Sequence, residues 1–271
     1  SEKPAGVYTK QVREMNEAAE RSDRSFAIML NQRTNCVYRK LHEMIQSGEL
    51  GQLRRVNWII TDWYRPQSYY DSGSWRATWK EEGGGVLSNQ AHHQLDLLQW
   101  ILGIMPKSVR SFCHFGKWHD IEVEDDVTVY MEFPNGATGV LVTSTADTPG
   151  TNRFEILGDK GKMVCEKNQL KLTLNEIGER EFNATFRENH GEPKHGKETV
   201  VGTDGKNPQH AGILSNFANA VIGFEPLFVD GKDGLNSVEL MNSMLLSTWL
   251  DRKVTLPIDD ELYLSELIQR I

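Results

Sequence analysis

From Gly83 to Asp96 the chain reads GGGVLSNQAHHQLD. A histidine exchanges a proton near neutral pH, an asparagine both donates and accepts hydrogen bonds, and glycines, lacking a Cβ, let a ligand or another backbone come close. Together these groups suit abstraction of a proton from a bound hydroxyl. If a helix starts near Asn89, its turn of 3.6 residues puts Asn89, His93, Asp96 and Trp100 on one stripe and Ala91, Leu95, Leu98 and Leu102 on the opposite one. The leucine stripe is a core face, and the polar stripe faces either solvent or a ligand. His93, near the helix start, sits where the dipole and the free N–H groups lower its pKa and favour the neutral base. Asp96 either anchors His93 or caps polar groups nearby, and His92 either packs in the interior or touches a substrate.

A scaffold must hold these residues. Val7, Val12, Met15, Ala18 and Ala19 follow Pro4 with a helical period, and Phe26 to Leu30 form a continuous apolar run that reads as a strand. A second helix carries Tyr38, Leu41, Met44 and Ile45 on one side. From residue 53 the texture becomes that of strands, expected at 53–64, 108–115, 127–133, 137–145, 153–157, 162–165 and 170–174. Asn135-Gly136 is a strong hairpin signal between two of them. Residues 183–209 are polar and irregular and read as a long loop, after which helices return at about 210–222 and 234–250. The expected class is α+β, an open, mainly antiparallel sheet with helices on one face and the other face available for a homo-oligomeric contact.

Composition removes several classes of function. A net charge of −8 without a block of lysines or arginines argues against nucleic acid or an anionic membrane as partner. Cys36, Cys113 and Cys165 are widely spaced, which suggests neither a disulfide framework nor a metal site and suits a reducing cytoplasm. No apolar run approaches the roughly 18 residues of a membrane span, and the first residues lack a signal pattern.

Taken in order, Glu2-Lys3-Pro4, Ser47-Gly48-Glu49-Leu50-Gly51, Gly83-Gly84-Gly85-Val86-Leu87, Asn89-x-x-x-His93-x-x-Asp96 and Leu157-Gly158-Asp159-Lys160-Gly161 resemble the motifs of the glucose-fructose oxidoreductase, inositol dehydrogenase and rhizopine-catabolism family, Gfo/Idh/MocA. The likeness runs from Ser1 to Val254-Thr255-Leu256-Pro257. It implies reversible hydride transfer between NAD or NADP and a hydroxyl-bearing carbon of a sugar, polyol or cyclitol. His93 matches the family's base, and Lys3 the lysine that bonds the reacting oxygen and holds the nicotinamide. Many relatives carry Asp where this chain has Asn89, which cannot take a proton and is expected to orient a substrate hydroxyl. Glu2, Lys3, Asn31 and Arg33 are expected beside the cofactor. The resemblance also implies that residues 1–33 are the last helix and strand of an N-terminal dinucleotide-binding Rossmann domain and that 34–271 form the C-terminal substrate-binding and oligomerisation domain. No G-x-G-x-x-G follows a strand, so the chain is expected to lack about 100 residues, roughly one small domain, and not to bind NAD or NADP alone. The implied assembly is a dimer or tetramer.

Aromatic rings suit the C–H faces of a pyranose, and Trp58, Trp63, Tyr64, Tyr69, Tyr70, Trp75 and Trp79 crowd one stretch. About half of them are expected in the core or at an interface. Trp75, Arg76, Trp79 and His92 are the expected substrate contacts, and Arg65 with Arg76 leaves a sugar acid or phosphate open. Two other readings stand beside dehydrogenation: an NAD-dependent glycoside hydrolase of the same fold, and a non-catalytic oligomerisation or sugar-binding module.

Overall fold

The strand-rich texture of the middle of the chain resolves into one open sheet, described over Ser1–Ile271 by a computed structural model. Its nine strands are β1 (Leu53–Ile60), β2 (Ser108–Phe115), β3 (Glu124–Glu132), β4 (Thr138–Ser144), β5 (Asn152–Gly158), β6 (Gly161–Glu166), β7 (Gln169–Leu174), β8 (Thr199–Val201) and β9 (Val254–Thr255). They lie in the order β8-β7-β6-β5-β1-β4-β3-β2-β9. Every pairing is antiparallel except that of β1 with β4. The exception has a cause: the chain leaves β1 for a long excursion before the β2–β3–β4 meander returns beside it, and a parallel pair needs such a crossover.

Eight helices complete the fold: α1 (Thr9–Ser22), α2 (Cys36–Gln46), α3 (Gln67–Tyr70), α4 (His92–Leu102), α5 (Glu179–Thr185), α6 (Gln209–Val221), α7 (Gly234–Trp249) and α8 (Asp260–Ile268). Period-2 alternation sends Val56, Trp58 and Ile60 of β1 inward while Ile59 stays 41% exposed. Trp58 stacks on Phe154 of β5 at 4.0 Å between ring centres. Against this inner face lie α7, beside β2 and β9, and α2, beside β7, while α4 packs on both of these helices. Of these, α7 is buried along nearly its whole length, as expected for a helix apolar on several sides. The opposite face carries no helix. There Phe112, Thr128, Val142 and Ile59 stand in one cross-strand row, next to Tyr130 and Val140 in the neighbouring row. No helix is long and apolar enough to cross a membrane.

Several local expectations need correction. Residues 26–30 are extended but form no strand, because their partners are single residues and not a ladder: Ser1 N donates to Ala27 O at 2.8 Å, Met29 N donates to Ser1 O at 2.8 Å, and Gly231 N donates to Phe26 O at 2.9 Å. Ile28 and Leu30 instead join Ile213 and Val229 in a small apolar cluster apart from the main core. The polar segment 183–209 holds the end of α5 and the edge strand β8, which pairs Val201 with Leu170. The helix expected from Asn89 begins at His92, since Asn89 N and Ala91 N donate back to Gly85 O and Val86 O and close a turn first.

The segment before α2 is tied firmly to the rest. Thr9 N donates to Asn242 Oδ1 at 3.0 Å, Asn242 Nδ2 donates to Val7 O at 3.0 Å, and Arg13 pairs with Glu239 and Asp260. These bonds fix Lys3 and its neighbours over the N-terminus of α4.

Candidate active site

The turn that precedes α4 is built around one buried acid. Glu124, at the start of β3, accepts from Gly85 N at 2.9 Å and Leu87 N at 3.0 Å through Oε1, while its carbonyl accepts from Val86 N at 2.9 Å. Burial pushes its carboxyl up to about 7 despite these bonds. The glycines are required by contact: a Cβ on Gly85 would lie 2.0 Å from the Glu124 carbonyl oxygen, and one on Gly83, at φ +71°, would lie 2.3 Å from Val7. The loop is thereby pressed against both β3 and the segment that carries Lys3.

Lys3 reaches across this contact. Its Nζ donates to Asn89 O at 2.8 Å, and burial lowers its pKa against the opposing pull of Glu2 and Glu82. An ammonium has three donors, so two remain for a ligand. The Asn89 side chain donates through Nδ2 to Glu82, whose other oxygen accepts from Ala77 N at 2.6 Å. Lys3, Asn89 and Trp75 line one cleft of about 370 Å³ with Pro4, Glu81 and Glu82.

His93, in the first turn of α4, is partly buried, and its Nδ1 is enclosed without any hydrogen-bond partner. Burial pushes its pKa down to about 3, with the Lys3 ammonium and His210 adding to the effect. The direction agrees with the expectation, but desolvation leads. A neutral imidazole accepts a proton through its unprotonated nitrogen, and with Nδ1 enclosed it is Nε2 that a hydroxyl can approach.

His210 had no place in the sequence reading of the site. It stands in the first turn of α6, and Asn31 Nδ2 lies 3.4 Å from its Nδ1 and 2.5 Å from Gln209 Oε1. A histidine opening a helix after a long polar stretch was the available signal. Asn31 Oδ1 is buried without a partner. Lys3 and His210 both act electrostatically on His93, and Asn31 adjoins His210.

Other expected site residues fall elsewhere. His92 is fully buried, with Nε2 2.9 Å from Ser237 Oγ, so it is an interior residue and not a substrate contact. Trp79 is 5% exposed and packs edge-on against Phe115 and Trp249, which likewise removes it from the cleft. Arg33 is consumed by acids: it donates to Asp96 at 2.9 and 2.6 Å and to Asp233 at 2.9 Å, leaving no free face for a cofactor. Asp96 therefore anchors Arg33 and not His93. Glu2 is exposed. Trp75, 45% exposed, and Arg76, stacked on it at 4.3 Å, stay at the cleft margin.

Residues 38–164 match the GFO/IDH/MocA C-terminal domain. The myo-inositol 2-dehydrogenase of Thermotoga maritima is 25% identical over 172 residues, 61% of this chain and 48% of that protein. An uncharacterized oxidoreductase of Streptococcus pneumoniae is 27% identical over 187 residues, 67% of this chain and 49% of that one. The chain spans about half the length of these curated relatives. Among solved structures, the WlbA dehydrogenase of Bordetella pertussis, in complex with NADH and UDP-GlcNAcA, is similar with a TM-score of 0.78 and 25% identity, over 96% of this chain and 72% of that one.

Proposed function

The chain belongs to the Gfo/Idh/MocA family, and on that premise we propose that it forms the substrate side of a nicotinamide-dependent oxidoreductase acting on a hydroxyl-bearing carbon of a sugar or cyclitol. One observation carries this reading: His93, in the first turn of α4, has an enclosed, unpaired Nδ1 and so only Nε2 to offer a ligand, while Lys3, tied to Asn89 O in the turn just before that helix, keeps donors to spare. A hydroxyl oxygen set between them meets a base for its proton and a cation for the negative charge that develops as the proton leaves. Asn89 supports Lys3 through its carbonyl and leaves proton transfer to His93.

The residues fit the nicotinamide end of an NAD or NADP cofactor. Asn31 Oδ1 is a buried acceptor in need of a donor, as a carboxamide N–H supplies, and Lys3 offers a donor for its oxygen. When bound, the nicotinamide supplies the acceptor for the hydride. Residues 1–33 are read as the end of the dinucleotide-binding domain and 34–271 as the substrate and oligomerisation domain. The helix-free face of the sheet, with Ile59, Phe112 and Tyr130 each more than 40% exposed, supports a homo-oligomer through that face. The free thiols at Cys36, Cys113 and Cys165 suit the cytoplasm.

The test is His93→Ala in the full-length enzyme. Turnover should fall about 10²–10⁴-fold, the usual share of a positioned acid–base group, with nicotinamide affinity unchanged. Near-normal turnover in that variant overturns the assignment. Net accumulation of reduced nicotinamide with a free sugar separates dehydrogenation from transient oxidation in glycoside cleavage.

A further inference from the structure

At the margin of the cleft, two arginines gather on one tyrosine without an acid between them. The Arg76 guanidinium lies 4.5 Å from the centre of the Tyr69 ring and 4.3 Å from that of Trp75, and Arg65 lies 5.1 Å from the same Tyr69 ring. Arg76 donates to Ser72 Oγ at 3.1 Å and to Tyr69 OH at 2.9 Å, while Arg65 donates only to its neighbour Tyr64 O, and its Nε is buried with no partner. Neither makes a salt bridge, in a chain where 38 acids outnumber 30 lysines and arginines. Like charges repel, so stacking on the rings sets these two cations in place against their own electrostatics.

We infer that Arg65 and Arg76 bind an oxyanion, a carboxylate or a phosphate, carried by the molecule that occupies the cleft. A guanidinium presents five donors in a planar fork that matches such a group, and Arg76, held over the two rings, has spent only two of them, on Ser72 and Tyr69. Trp75 joins the pair to the cleft it lines with Lys3 and Asn89, and Gln90, next to Asn89, donates to Tyr69 OH at 3.3 Å. Glu81 and Glu82 line the same cleft and repel an anion. Negative charge is accepted only on the arginine side, and this gives the substrate a direction, with its acidic end on the arginines and its reacting hydroxyl at Lys3 and His93. The substrate class is therefore an acidic sugar, either a uronate or a sugar phosphate. The location of the reacting end rests on the proposed dehydrogenase site; the anion site does not.

Binding of D-glucuronate, D-glucose 6-phosphate and D-glucose to this chain, followed by calorimetry and by tryptophan fluorescence, tests the inference. One of the two acids should bind about 10- to 100-fold more tightly than glucose, the range expected for a charge-assisted hydrogen-bonded contact. Arg76→Met, which keeps the aliphatic stem on the rings, should erase the difference, and Arg65→Met should reduce it. The preferred acid tells carboxylate from phosphate. Equal affinities for the three sugars, a lack of binding by all of them, or a preference that survives both substitutions overturns it. Nicotinamide reduction is not read, so failure of the dehydrogenase reading and failure of the anion site give different results.

Discussion

Arg33→Met separates a structural role from a cofactor role. Arg33 is 2% exposed and Asp96 1% exposed, and two of its three carboxylate bonds go to Asp96. Removing the cation leaves the Asp96 carboxylate buried with only Gln99 Nε2, at 3.1 Å, still bonded to it. Breaking one partner of a buried pair costs about 3–5 kcal/mol. Two charge-assisted bonds at roughly 1.5–3 kcal/mol each give a similar figure. At about 2–4 °C per kcal/mol for a chain near this size, the melting temperature should fall by on the order of 10 °C. Urea unfolding followed through Trp100, whose ring lies 5.4 Å from the Arg33 guanidinium, gives the free energy directly. Arg33→Met with Asp96→Leu should recover most of the loss, because an apolar pair of similar volume often replaces a buried ion pair without cost. A loss below about 1 kcal/mol in Arg33→Met, together with weakened nicotinamide binding in the full-length enzyme, would refute the structural assignment and restore Arg33 to the cofactor.

Burial lowers His92 and His93 to about 3, against about 6.5 in the unfolded chain, so the unfolded state binds more protons between those values. Their stabilisation is complete above pH ~6.5 and is lost as pH falls toward 3, at up to ~1.4 kcal/mol per pH unit for each proton. Glu124, raised to about 7, works in the opposite sense and loses its contribution as pH rises through that value; His92→Phe should remove one proton from the acid-side slope of urea stability, and an unchanged slope rejects the buried neutral assignment. Gly85→Ala drives a methyl into the Glu124 carbonyl and should cost at least about 1–3 kcal/mol in thermal unfolding, whereas a neutral result would mean that the clamp is slack. Phe112→Asp on the helix-free face should dissociate the assembly in light scattering, and a monomeric parent protein removes the proposed interface.

How much of this was legible depends on where each residue finds its partner. Strand 108–115 was placed to the residue because period-2 alternation is local, and α1, α2 and α7 followed from helical periods in the same way. The polar stripe of α4 was not resolved by pattern. Asp96 was expected to anchor His93 or to cap polar groups nearby, yet it is satisfied by Arg33, which lies 63 positions away in the chain. His92 and Trp79 were misplaced for the same reason, since Ser237, Phe115 and Trp249 enclose them from distant elements. Glu124 escaped notice because an acid opening a strand looks exposed until the glycine loop folds over it.

The three glycines that open the motif illustrate the point from the chemical side. Absence of a Cβ permits either a ligand or a backbone to approach, and here the backbone takes the space: the Glu124 carbonyl lies against Gly85 and Val7 against Gly83. The loop is thus no cradle for a ligand. It holds Asn89 at the height where its carbonyl receives Lys3, and it starts α4 where His93 comes under the charge of Lys3. A methyl at Gly85 would shift Lys3 and His93 without touching either, and for that reason the loop belongs to the chemistry although no glycine takes part in it.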